Sequence, residues 1–331
     1  MISKNLFYVG LILFFITGCA RELPENDLQA YKLDEISGIE NEIVLPIAVE
    51  DLLSRKVLFN EIPARIVSLV PAATEIFFSV GAGVKLVGVT EYCTYPPEAQ
   101  LKQIVGGYTA ETMSLEKIIY LDPDLVIVGG EYHRTVITAL ENGGINVFSM
   151  EMRTIKDVYN NIYFAGFITN NTENAKLRIE YMKEKENKIS ELVLQIPESS
   201  RKTVFWEIWS EPLMTAGGKS FINELIEISG GKNIFSYMDA EYPVISTEDV
   251  IYKNPEVIFG TLDNLESLEN IEIRTGWNTI SAVQNDRVFL LDENIVSRPG
   301  PRIINALGLI AKNLYPEIFN NYFDGEDPLL W

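Results

Sequence analysis

The stretch Ser114-Leu-Glu116-Lys-Ile118-Ile-Tyr120-Leu-Asp-Pro123-Asp124-Leu-Val126 returns in the second half of the chain as Ser246-Thr-Glu248-Asp-Val250-Ile-Tyr252-Lys-Asn-Pro255-Glu256-Val-Ile258. Ser, Glu, Tyr and Pro keep their places, and the apolar positions match. Each copy opens on a residue suited to cap a helix, turns at Pro and ends in an apolar, β-branched run. The pattern predicts a capped short helix, a turn and a buried strand, twice over. A chain that builds one unit in each half predicts two similar lobes, and a cleft between lobes is where small molecules bind.

The flanking segments repeat the alternation. Ile66-Val-Ser-Leu-Val70 predicts a buried parallel strand. Pro71 to Val80 predicts a helix stopped by Gly81-Ala-Gly83, and Leu86 to Val89 a second strand. In the other half, Thr203 to Trp209, Val257 to Phe259 and Val288 to Leu291 read as strands, and Ser220 to Ser229 and Pro301 to Leu314 as helices. Between the halves, Thr154 to Ile196 carries no strand signal, and Thr154-x-x-Asp157 has the form of a capping box. A helix of about 24 residues there would be about 36 Å long, enough to link two lobes as a stiff spine. The expected units are an N-terminal lobe over 43–153, interlobe helices over 154–198 and a C-terminal lobe over 199–331.

The 331 residues are 47% hydrophobic and 22% charged, a globular composition with room for two cores. Residues 1–18 read as a signal peptide: Lys4 precedes an apolar run, Leu6 to Ile16, shorter than the roughly 20 residues that span a bilayer. Ile16-Thr-Gly-Cys19 resembles the lipobox of bacterial lipoproteins, which implies an acylated Cys19 and a membrane anchor on the extracytoplasmic face. Residues 19–42, polar and acidic, read as a tether. With Cys19 lipidated, Cys93 has no partner for a disulfide. Lys+Arg 27 against Asp+Glu 47 gives a net charge of −20, which argues against nucleic acid as a partner. A single histidine, His133, is too few for direct capture of manganese or zinc. No nucleophile–histidine–acid set and no phosphate-loop motif can be assembled, so the chain reads as a non-enzymatic monomer without a cofactor.

Arg65-Ile-Val-Ser-Leu-Val-Pro-Ala-Ala-Thr-Glu-Ile-Phe-Phe-Ser-Val-Gly-Ala-Gly83, Leu86-Val-Gly-Val89, Tyr95-Pro-Pro97, Asn233-Ile-Phe235 and Arg298-Pro-Gly-Pro-Arg302 resemble the helical-backbone periplasmic binding proteins. These are the substrate-binding subunits of ABC importers for cobalamin, iron–siderophores and haem. The resemblance runs from about Arg65 to Phe319 and implies an α/β fold of two Rossmann-like lobes, each on a central parallel sheet, joined by one long backbone helix. Tyr95-Pro-Pro-Glu-Ala99 followed by Gly107-Tyr108 is most similar to the cobalamin-binding branch. There the position of Tyr108 stacks near the corrin, and that of Tyr242, before Pro243, approaches from the other lobe. The transported ligand implied is cobalamin or another metal chelate.

Such a ligand is a wide plate with polar edges, which needs flat apolar walls and a few donors at its rim. The candidate walls are Tyr92, Tyr95, Tyr108, Trp209 and Tyr242, with Trp206 assigned to the core because alternate strand residues face opposite ways. Pro71, Ala72 and Thr74 sit where a strand meets a helix and offer backbone N–H groups. Arg298 and Arg302 are rim candidates. Glu116 and Glu248, in the first turn after a Ser cap, each stabilise their own helix. The resemblance further implies that they dock on a permease dimer, which its ATPase drives.

Overall fold

The computed structural model describes residues 30–36, 43–150, 152–262, 271 and 273–319. The proposed signal peptide, Cys19 and most of the expected tether lie outside these. Part of that tether is folded: strand β1 (Ala30–Tyr31) pairs in parallel with β2 (Ile47–Glu50), which forms a hairpin with β3 (Lys56–Phe59). The short helix α1 (Leu33–Ile36) follows β1, and Ile36 is fully buried in the main core. One apolar side chain with a site to fill is enough to fasten a polar segment.

The first lobe is an all-parallel sheet ordered β6-β5-β4-β7-β8: β4 is Ile66–Ser68, β5 Leu86–Val89, β6 Gln103–Ile104, β7 Leu125–Val128 and β8 Val147–Ser149. The second lobe has β9 (Thr203–Ser210), β10 (Leu213–Thr215), β11 (Lys232–Asn233), β12 (Val257–Thr261) and β13 (Val288–Leu291). Here β11-β9-β12-β13 are parallel and match β5-β4-β7-β8, while β10 adds an antiparallel arm to the end of β9. The fold is thus α/β, two Rossmann-like lobes with central parallel sheets.

The two copies of the repeat fold alike. Helix α2 (Pro71–Ser79) follows β4, and α3 (Leu115–Tyr120) precedes β7 with Ser114 as its N-cap. Helices α4 (Arg134–Asn142), α5 (Ile155–Ile168), α6 (Thr172–Val193) and α7 (Phe221–Ile228) come before α8 (Thr247–Lys253), which precedes β12 with Ser246 as its N-cap. Ile118 and Val250 are buried at the same repeat position. Asp122 and Asn254 both take the left-handed conformation, at φ 46° and 45°, which short polar side chains tolerate. One residue past each Pro, a carboxylate ties down the neighbouring strand. Asp124 accepts from the backbone N–H groups of Ala64 and Arg65, and Glu256 from that of Thr203.

Alternation along the strands divides the core. Ile66, Leu125, Val204, Trp206 and Phe259 face one continuous cluster that runs through both lobes and includes Phe164 and Met182 of the linking helices. Val67 and Val126 face a second cluster behind the first sheet, and Phe205 and Ile258 a third behind the second. Helix α5 begins with the expected capping box of Thr154 and Asp157 and packs on α2. Among the described residues the 22-residue α6 is the single long backbone helix, and it packs on α5, on α7 and on the helix Ile303–Leu314 near the end of the chain. Among the described residues no helix is long and apolar enough to cross a membrane.

Candidate functional site

Parallel sheets present their ligand crevice beyond the carboxyl ends of their strands, because there the chain turns away and leaves backbone groups and loop side chains free. A cavity of about 680 Å³ opens at that edge of both sheets. Pro71 and Ala72 follow β4, Tyr92 follows β5, Tyr108 follows β6 and Tyr132 follows β7. From the other lobe come Trp206 to Ile208 of β9, Thr261 of β12 and Tyr242 in the segment after β11. The volume lies within the roughly 300–1,000 Å³ of small-molecule sites.

The first lobe contributes an aromatic wall. Tyr108 and Tyr132 stack with ring centroids 5.2 Å apart, and the Tyr108 hydroxyl donates to that of Tyr132 at 2.9 Å. Tyr92 meets Tyr108 edge-on, with centroids 6.3 Å apart. Behind them, buried His133 accepts at Nδ1 from the Gly129 N–H (2.9 Å) and donates from Nε2 to the Tyr108 carbonyl (2.8 Å). Those two bonds specify the neutral ring with its proton on Nε2. Burial pushes the His133 pKa down, while the bond to the Tyr108 carbonyl pulls the other way. The absence of a side chain at Gly129 makes room for the Tyr132 ring in this position: a Cβ there would lie 1.8 Å from the Tyr132 hydroxyl, and the ring would have to shift.

The second lobe is more polar. Trp206 is fully buried, as its strand position predicts, yet it also forms part of the cleft floor. Beside it, buried Glu207 holds Arg274 through two bonds of 2.6 and 2.8 Å. Tyr242 is 41% exposed, as is Tyr108 across the cleft. Arg298 reaches the cleft from the loop before the helix Ile303–Leu314 and donates to the Thr94 hydroxyl at 3.0 Å.

The structure therefore brings Pro71, Ala72, Tyr92, Tyr108, Tyr242 and Arg298 around one cavity. Four expected residues lie outside its lining. The Thr74 side chain is buried and spans the Ser68 hydroxyl and the Cys93 sulfur. Arg302 is consumed by Glu75 in a buried bidentate pair, with bonds of 2.9 and 2.6 Å. Tyr95 lies under that guanidinium, 4.0 Å from ring centroid to the central carbon. Trp209 stands beyond the cleft because β9 runs on into the β10 arm, and its indole N–H donates to the Glu211 carbonyl. Free Cys93 is buried, and burial raises its thiol pKa. Tyr132 and Glu207 were not anticipated. Tyr132 had a signal, since it follows the Gly129-Gly130 end of a predicted strand. Glu207 had a weaker one, as the only charge within a strand of apolar residues.

Two lobes built on parallel sheets share one cleft and are linked by a helical spine, an architecture that offers a small-molecule site between the lobes. A family model described as periplasmic binding protein matches residues 66–295, and the chain belongs to that family. It is 31% identical over 314 residues to the uncharacterized ABC transporter substrate-binding lipoprotein YvrC of Bacillus subtilis, covering 92% of this chain and 94% of that one. It is 30% identical over 266 residues to the vitamin B12-binding protein of Vibrio cholerae, covering 79% and 93%. The crystal structure of the periplasmic vitamin B12 binding protein BtuF of Vibrio cholerae superimposes with a TM-score of 0.68 at 28% identity, covering 77% of this chain and 98% of that one.

Proposed function

We propose that this chain is the lipid-anchored binding subunit of an ABC importer, that it captures a corrinoid, cobalamin, between its lobes, and that it delivers it to a permease dimer. The observation that carries this reading is the aromatic wall of Tyr92, Tyr108 and Tyr132 sharing one cavity with Tyr242. A flat macrocycle is held best by ring faces, each contributing about 0.5–1.5 kcal/mol beyond area burial. Arg298, at the rim, meets polar substituents of the plate. The likeness to vitamin B12-binding proteins supports the same ligand. Cys19 carries the anchor at the outer face of the membrane, and Glu116 and Glu248, one per lobe and both exposed, meet the permease.

Titration of the purified chain with cyanocobalamin, haem and a ferric siderophore, followed by visible absorbance and tryptophan fluorescence, tests the ligand. Saturable cyanocobalamin binding at micromolar concentration or below, weakened several-fold in Tyr108→Ala, is the expected result. Haem binding with no cobalamin response would transfer the site to haem.

A further inference from the structure

The tyrosines account for how the cleft holds the faces of a plate. The charges along the cavity decide what the plate's edge can carry. Three cations, Arg153, Lys219 and Arg298, and three carboxylates, Glu207, Glu241 and Glu293, belong to its lining. Every cation is already engaged within the chain. Lys219 Nζ lies 2.7 Å from an Asp239 oxygen. Arg298 donates to Thr94 and stands in the field of Glu75 and Glu293, and Arg153 has partners of its own. Of the carboxylates, Glu207 is buried and taken up by Arg274, and Glu293 acts on Arg298. Glu241 differs from all five. It is exposed, and among the described residues its carboxylate has no hydrogen-bond or ion-pair partner. Its place at the cleft is nonetheless fixed by the backbone on both sides of Tyr242. The Glu241 carbonyl accepts from the Gly217 N–H at 2.8 Å and the Pro243 carbonyl from the Thr215 N–H at 3.1 Å. The approach at Gly217 is close: a Cβ there would lie 2.1 Å from the Ala240 carbonyl oxygen. A plate lying against Tyr242 therefore brings its edge to Glu241.

We propose that Glu241 makes the cleft selective for a plate whose edge carries amides, against one whose edge carries carboxylates. An amide N–H can donate to the free carboxylate, a charge-assisted bond stronger than one between neutral groups. A carboxylate brought to the same place meets a like charge, with each cation of the lining already engaged and a net charge of −20 on the whole chain. The inference rests on the reading that the ligand is a corrinoid, and it narrows that ligand to the amide-edged form. Acid-edged corrins and haem, whose edges carry carboxylates, are the classes it rejects.

The test compares two corrins that share one plate and differ at its edge: dicyanocobinamide, and dicyanocobyrinic acid, in which carboxylates replace the amides. Binding of each to the purified chain is followed by visible absorbance at low and at high salt. The parent should hold the cobinamide at least about tenfold more tightly than the acid at low salt, with the ratio shrinking as salt screens the repulsion. Glu241→Gln, which keeps the size and one acceptor, should narrow the ratio by at least about threefold, chiefly by improving the fit of the acid. Glu241→Lys should narrow it further. Thermal unfolding should be unchanged in both variants, because the side chain is exposed. If the parent does not discriminate, or Glu241→Gln leaves the ratio where it was, the inference falls while the corrinoid reading stands. A ratio that moves in Lys219→Met and not in Glu241→Gln would assign the edge to Lys219 and overturn the proposal. If neither corrin binds, the corrinoid reading itself falls, and the selectivity with it.

Discussion

His133 holds the aromatic wall from behind through two bonds that require an uncharged ring. A second proton would go to Nδ1, where the Gly129 N–H already points, and donor would face donor. Burial lowers the folded-state pKa, so on acidification the unfolded chain takes up a proton before the folded one does. Stability is therefore fully present above the unfolded imidazole value of about 6.5 and is lost as pH falls from there through the lowered folded value. One proton sets the limit on the slope at about 1.4 kcal/mol per pH unit. Urea unfolding at about pH 7.5 and about pH 5 should show this loss in the parent chain and a smaller one in His133→Gln, which keeps a donor and an acceptor without a titrating ring. Equal losses in the two proteins would place the acid sensitivity elsewhere. In the sequence His133 bears only on metal capture, for which a single histidine is too few; its structural part was not legible, because both nitrogens are occupied by backbone groups that the sequence does not bring together.

The caps of the repeat helices were plain in the sequence, and the structure ranks them. Ser246 and Asp249 form a reciprocal capping box at the start of α8. Ser114 makes only one such bond, to Lys117 N at 3.3 Å, because a lysine occupies the place that would return it. Ser246→Ala should then cost about 1 kcal/mol or somewhat more, and Ser114→Ala about 0.5 kcal/mol. Amide exchange in the two helices would report each locally, and a larger loss for Ser114→Ala would contradict the ranking. Caps, turns and strands were legible because their determinants are a few residues apart. The cleft was legible only where it follows a strand end, as with Tyr92 and Tyr108. Thr74, Tyr95 and Arg302 were misplaced because the deciding contacts are not local: Arg302 meets Glu75 across 227 residues of sequence, and that pairing also fixes the place of Tyr95. Trp209 missed the cleft for a nearer reason, the unpredicted β10 arm that carries β9 past it.

That same pair decides how the molecule behaves as a whole. Arg302 is the N-cap of the helix Ile303–Leu314, which packs on α6 and α7, while Glu75 belongs to α2 of the first lobe, so the bond ties the two halves together. Arg298 adds a second tie at Thr94, and one continuous core runs beneath both. Burial raises the Glu75 pKa, opposed by its bonds to Arg302 and by the positive charges of Arg302 and Arg298. In Arg302→Met the main opposing influence is gone, and the carboxyl rises further. The folded variant then keeps a proton that the unfolded chain has released, so its stability falls as pH rises from the unfolded glutamate value of about 4.3 through the raised folded one. The variant should lose about 3–5 kcal/mol relative to the parent at about pH 8, and less at about pH 5. Replacing both partners, Glu75→Met with Arg302→Met, removes the stranded charge and should recover most of the loss, since apolar groups can substitute for a buried ion pair at little cost. Urea unfolding of the three proteins at both pH values measures this. A single variant that loses the same amount at either pH, or a double variant as unstable as the single, would show that the pair does not act as a charge-balanced tie between the lobes.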